Sequence, residues 1–407
     1  MRGPAVRVRI AGLVVALAVG ALVLTPMAAG GVSAPGTSQG VMAAAGCRQP
    51  GVPSAGGCPG RAGQAAHIIA LARAAMKRDD LHAVILSIRD GGDQLVTAAL
   101  GQSVTSQPAT TAMHFRIGAI AIPYLAIVLL QLVDHKRVSL GDRLSKWFPR
   151  LPHAHQITLA DLIESRSGYY DYEKSPQLVK KLYANPFRYF SQQYLIHLGV
   201  SHPLVNKPGK GFNYAHTNFV ILGRVLQKVT GKPLAVLIKD NILTPLGLSN
   251  TDSPATPAIR PPVLEAYDSE RGVYEDSTYW NPSWTLAAGA IMTSDITDVA
   301  KTAIAVGSGT LISRASYRLM ITPRSLLTPP GAPKIYYGMG VVLDNSWVLQ
   351  NPLFAGYNAT MAYLPSKKIA IAVATTLGPK ASSSTNYSTQ LTAAIGKYLV
   401  PQHPPLP

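Results

Sequence analysis

The stretch Phe115-Arg116-Ile117-Gly118-Ala119-Ile120-Ala121-Ile122-Pro123 carries no charge after Arg116 as far as Val133 and then turns polar at Asp134-His135-Lys136-Arg137-Val138-Ser139-Leu140-Gly141-Asp142. Residues 117–133 make seventeen uncharged positions, short of the roughly 20 that span a bilayer. Pro123 and Gln131 interrupt the run and a soluble pattern continues on both sides, so the expectation is a buried core helix and no internal transmembrane helix. A chain that can wrap such a helix needs a large core around it. This one has 407 residues, 47% of them hydrophobic and 14% charged, which excludes a disordered polyelectrolyte.

Upstream, small and apolar residues recur at helical spacing over 64–78. Strand-like runs follow at 83–88 and 94–100, joined by the turn signal Asp90-Gly91-Gly92-Asp93. Downstream, residues 134–290 read as short helices separated by proline-marked loops. The pattern then changes to a helix over 293–306, strands over 336–343, 360–364 and 369–375, and a closing helix over 388–399. Strands at both ends around a helical middle predict one sheet assembled from distant halves of the chain, with an inserted lobe.

The N-terminus carries Arg2, Arg7 and Arg9 ahead of an apolar run over 10–24, then Thr25-Pro26 and small residues. That pattern fits an export signal over 1–29 better than a membrane anchor. Without those three arginines the formal charge of +17 falls only to about +14, so the basic character belongs to the rest of the chain. Residues 30–62 are rich in Gly, Ala, Ser and Pro and read as a flexible lead. Within it Cys47 and Cys58, the only cysteines, are expected to pair after export, worth about 3 kcal/mol of chain entropy. A lipoprotein signal at Cys47 competes, but it leaves Cys58 unexplained. The lysines and arginines are scattered, which points to a solvated basic face on a secreted or cell-envelope protein and to no nucleic-acid site. His153-Ala154-His155 lacks a third ligand at useful spacing and reads as a surface loop, and Gly36-Thr37-Ser38-Gln39-Gly40 has no strand–helix context for a nucleophile elbow. No metal or cofactor is expected.

Several segments in order resemble the serine β-lactamase and penicillin-binding family, in its class C and DD-peptidase branch. They are Phe115-Arg116-Ile117-Gly118, the turn through Ser139-Leu140-Gly141-Asp142, Ile157-Thr158 leading to Ser165-Arg166-Ser167-Gly168, Pro208-Gly209 with Phe212 and Tyr214, Pro245-Leu246-Gly247-Leu248, and Gly356-Tyr357-Asn358 with Pro365. The resemblance covers about 65–399. It implies an α/β (α+β) fold, an antiparallel five-stranded sheet flanked by helices within 63–400, and a mainly helical lobe over roughly 120–290. It also implies acyl-enzyme chemistry, in which a serine attacks an amide or lactam carbonyl and a lysine one turn later takes its proton.

The residues that should perform that chemistry differ. Ala119 stands where the serine belongs and Ile122 where the lysine belongs, and no lysine in the chain has Ser or Thr three positions before it. The second motif reads Tyr214-Ala215-His216, with histidine in place of asparagine, and the third falls near Gln350-Asn351-Pro352. The resulting expectation is a non-catalytic protein of the cell envelope that binds peptidoglycan or a protein partner, with Tyr214 and His216 in a vestigial cleft. The alternative is an enzyme that hydrolyses β-lactams, peptides or esters through a residue such as Tyr214.

Overall fold

The computed structural model describes residues 59–405. The expected export signal over 1–29 and both cysteines lie outside the described residues. The chain opens with helix α1 (Pro59–Asp79), the hairpin β1 (Leu81–Asp90) and β2 (Asp93–Val104), short strands β3 (Gln107–Pro108) and β4 (Phe115–Arg116), and helix α2 (Ile122–Asp134). The middle holds α3 (Leu159–Ile163), α4 (Pro176–Ala184), α5 (Gln192–Val200), α6 (His216–Thr230), α7 (Leu234–Ile238) and α8 (Thr244–Leu246), followed by short strands β5 (Tyr267–Asp268), β6 (Glu275–Asp276) and β7 (Thr293–Ser294). The last part comprises α9 (Ile296–Ser308), α10 (Arg314–Met320), β8 (Ser325–Leu326), β9 (Ile335–Tyr337), β10 (Val342–Asp344), β11 (Trp347–Gln350), β12 (Leu353–Phe354), β13 (Tyr357–Leu364), β14 (Ile369–Leu377) and α11 (Tyr387–Leu399).

The main sheet runs β3-β2-β1-β14-β13-β11-β10-β9-β8, with β12 also on β13, and its pairings are antiparallel. Four strands, β2, β1, β14 and β13, have eight to twelve residues and shorter ones extend the sheet on either side, so it carries more strands than the five expected. β1 meets β14 from Leu81 opposite Leu377 to Asp90 opposite Ile369, so the two halves of the chain join in the centre of the sheet. β13 and β14 are buried along their whole length. Side chains alternate faces along a strand, and β13 shows what covers each one. Thr360 shares a hydroxyl contact of 2.8 Å with Ser388 of α11, whereas Tyr363 packs against Gly307 of α9. Helices α1 and α11 therefore cover one face and α9 the other.

Local chemistry sets several element ends. Thr158 accepts from Asp161 N while Asp161 Oδ2 accepts from Thr158 N, a capping box that starts α3. Asp295 caps α9 by accepting from Asp298 N. The uncharged run from Ile122 to Leu130 is buried within α2, among α6, α7 and α10. Among the described residues no helix is long and apolar enough to cross a membrane.

Two details depart from the sequence reading. The strand expected over 336–343 is two short strands, because Gly338 N donates to Val341 O at 2.9 Å and Gly340 takes φ 73°, making a tight turn between them. The segment read only as a third motif supplies a true strand, β11, whose four residues are all buried and so lack the alternation that would mark them.

Candidate functional site

The first-motif positions sit in one 3-10 turn, Gly118–Ala121, running into α2. Gly118 has φ 42°, and a Cβ there would come within 2.7 Å of Pro352 Cβ and 3.0 Å of Phe354 Cε1. The 352–354 segment thus lies directly on this turn. Ala119 is half-buried and packs on the core, while Ile122 is fully buried beside Gly340, Ile163 and Ala126. No polar group of the 118–122 side chains exists to bind or move a proton.

The third-motif segment is held by packing and by backbone bonds. Gln350 is buried and donates from Nε2 to Gly340 O at 2.7 Å. The carbonyls of Asn351 and Pro352 both accept from Asn386 Nδ2, at 2.8 and 3.0 Å, and Asn386 also caps α11. Pro352 offers no N–H to a ligand, and its carbonyl is further occupied by Ala359 N at 3.0 Å.

The second-motif positions are built differently. Tyr214 precedes α6, edge-on to His216 with ring centroids 5.1 Å apart, and it also meets Phe219 and Tyr337. Burial raises the Tyr214 hydroxyl well above the usual phenol range, and Tyr337, Glu173 and Asp171 push it in the same direction. His216 opens α6, and its backbone N donates to Asp171 Oδ1 at 3.0 Å. Its Nδ1 lies 3.3 Å from that same oxygen and 3.2 Å from Glu173 Oε2.

Asp171 and Glu173 were missed in the sequence, where Asp171 stands 45 positions from His216 in what reads as a charged loop. Asp171 caps the 3-10 turn Tyr172–Lys174 by accepting from Glu173 N, and that turn points Glu173 inward. Burial raises the Glu173 carboxyl well above its usual range, with Asp171 and Glu270 adding repulsion against a smaller pull from Lys174. Glu270 accepts from Tyr183 OH at 3.1 Å, and burial together with neighbouring Asp268 pushes its carboxyl up to about 8. Asp268 is pushed up to about 6, chiefly by burial. Three groups that could hold a cation, Asp171, Glu173 and His216, are all buried and have donor atoms within 4.8 Å of one another. Arg166, where the family often has histidine, donates to the Gly209 carbonyl and lies 3.6 Å from Glu164. His153 and His155 are on the surface, away from these groups.

A cavity of about 970 Å³ opens elsewhere, lined by residues including Val236, Lys239, Leu248, Asp252, Arg260 and Thr293. It contains none of the motif positions, so volume alone does not locate the site.

Among solved structures, a D-stereospecific amidohydrolase from Streptomyces sp. is 25% identical with a TM-score of 0.70, covering 80% of this chain and 96% of that one. D-amino acid amidase from Ochrobactrum anthropi SV3, in complex with L-phenylalanine amide, is 22% identical with a TM-score of 0.72, covering 83% and 98%. A penicillin-binding protein of Bacillus subtilis is 24% identical over 171 residues, which make up 40% of this chain. The chain spans only 36% of the length of that relative. The Beta-lactamase family pattern matches residues 68–394, and on that match, together with the sheet and the ordered motifs, the chain belongs to the Beta-lactamase family.

Proposed function

We propose that this chain is an exported cell-envelope member of the family that no longer acylates, and that it acts by binding peptidoglycan or a protein partner. The observation that carries the reading is the pair Ala119 and Ile122 at the nucleophile and base positions, with Ile122 fully buried. In the family's chemistry the serine and lysine act as a unit, and loss of a nucleophile alone costs about 10⁶ in turnover in a comparable hydrolase. Pro352 and Phe354 packing on Gly118, next to Ala119, support it further, because they add apolar bulk beside the nucleophile position. The ligand class follows from the relatives. An amidohydrolase and an amidase specific for D-configured substrates, with a penicillin-binding protein, favour a D-amino-acid peptide of cell-wall type.

The competing reading makes Tyr214 the nucleophile. Its hydroxyl is held neutral at physiological pH by burial and by the nearby carboxyl groups, and a neutral phenol is a poor nucleophile. Purified protein incubated with a fluorescent penicillin and with a fluorophosphonate probe is expected to carry no covalent label. Stoichiometric labelling overturns the non-acylating reading. Ala119→Ser with Ile122→Lys and Pro352→Gly is expected to acylate slowly, and a folded triple variant that takes no label shows that these positions are wrongly assigned.

A further inference from the structure

We propose that Asp171, Glu173 and His216 form a binding site for a first-row divalent cation such as Zn²⁺. The inference stands independently of whether the chain acylates.

The donor set fits in kind and in size. One imidazole nitrogen with two carboxylate oxygens suits Zn²⁺ or Mn²⁺ better than the all-oxygen sets that Ca²⁺ and Mg²⁺ take. Metal–ligand bonds of about 2.0–2.2 Å put neighbouring donors about 3.0–3.5 Å apart on an octahedron or tetrahedron. His216 Nδ1 lies 3.3 Å from Asp171 Oδ1 and 3.2 Å from Glu173 Oε2. The three come from two separate parts of the chain, the 171–173 turn and the first turn of α6, and the backbone N–H groups of Glu173 and His216 already aim Asp171 Oδ1 at the cluster.

A second observation points to a missing positive partner. Glu173 is only 3% exposed, and the nitrogen within ion-pair distance of its carboxyl group is His216 Nδ1 at 3.2 Å, charged only if that ring is protonated. A buried carboxylate is costly unless it is paired. His216 can offset at most one negative charge, and Glu270 adds another carboxyl nearby. A divalent ion offsets both carboxylates of the cluster with one bond to each. The rings of Tyr172, Tyr214 and Phe219 surround His216 at centroid distances of 6.2, 5.1 and 6.5 Å. A bound ion there fastens the 171–173 turn to the start of α6, next to Tyr214.

The test is titration of the purified, EDTA-treated full chain with ZnCl₂ by calorimetry, with Co²⁺ absorption as a second readout. One equivalent is expected to bind, with a rise in melting temperature that Mg²⁺ does not reproduce. Glu173→Gln, which keeps the side-chain shape, and His216→Gln are each expected to weaken binding by about a hundredfold or more, while far-UV circular dichroism is unchanged. Wild-type protein that binds no Zn²⁺ overturns the proposal. So does binding that survives Glu173→Gln but is lost in His153→Ala with His155→Ala, which would place the ion on the surface histidines.

Discussion

The two ends of the motif set have opposite physical characters. At the first-motif end, Gly118 meets Pro352 and Phe354 while Ile122 meets Gly340, and these contacts are apolar. At the second-motif end, Tyr214 and His216 meet Asp171 and Glu173, and the contact is buried but charged. Random erosion of a site should leave both ends loosely packed or solvated. Here one end is packed like a core, and the other gathers titratable groups at the cost of desolvating them. Such a cluster is costly to keep, and that cost is what the proposed cation would offset.

The largest effect should come from forcing one character onto the other end. Ile122→Lys places an ammonium where no carboxylate stands and is expected to destabilise the fold by about 4 kcal/mol, read as a shift in urea midpoint. A cost below about 1 kcal/mol would break the contrast by showing that water reaches that end. At the charged end, His216→Ala in EDTA is expected to cost about 3 kcal/mol, since it leaves Asp171 and Glu173 facing each other without an imidazole. No change there would mean that the carboxyl groups are already neutral and unpaired.

Part of the pH dependence should come from the carboxyl groups beside the charged end. Asp268 and Glu270 hold protons more tightly folded, at about 6 and about 8, than unfolded. The folded state therefore binds more protons between their unfolded values and those values, and stability falls as pH rises through that window. Moving from pH 8 to pH 5 is therefore expected to stabilise the protein, read as a rise in urea midpoint. A Glu270→Gln variant should flatten that slope, whereas Ile122→Val should leave it unchanged. The smallest effect serves as a control away from the cleft. Thr158→Ala removes the cap of α3 and should cost about 1 kcal/mol without altering either end.

Much of this contrast was legible in the chain, but unevenly. The hairpin at Asp90-Gly91-Gly92-Asp93 and the apolar runs of β13 and β14 are local signals, so the centre of the sheet could be read directly. The uncharged run of α2 could be read in the same way, and its register exposed Ala119 and Ile122. The charged end could be read only by half. Tyr214 and His216 stand in a recognisable spacing, but Asp171 and Glu173 reach them through a loop whose pattern, Tyr170-Asp171-Tyr172-Glu173-Lys174, is that of an ordinary solvated turn. Only a 3-10 turn capped by Asp171 rotates Glu173 inward, and no periodicity encodes that rotation. Pro352 was legible as part of the third motif but Phe354 was not, and their contact with Gly118 depends on how β11 hands the chain to β12.

The pairing of β1 with β14 also governs how the molecule comes into being. A strand ending at Asp90 has its second neighbour only when residues 369–377 exist, and His67 of α1 stacks on Tyr398 of α11 at 4.0 Å. Contacts so distant in sequence fold slowly, because a long loop must close before they return any energy. A growing chain cannot complete its core until nearly all of it is available, so it stays open through synthesis and remains threadable. The same adjacency brings the two terminal helices side by side. A permuted chain that joins Leu399 to Pro59 by a short linker and opens at an exposed loop should therefore recover the native sheet, with its ends exchanged and its folding order reversed.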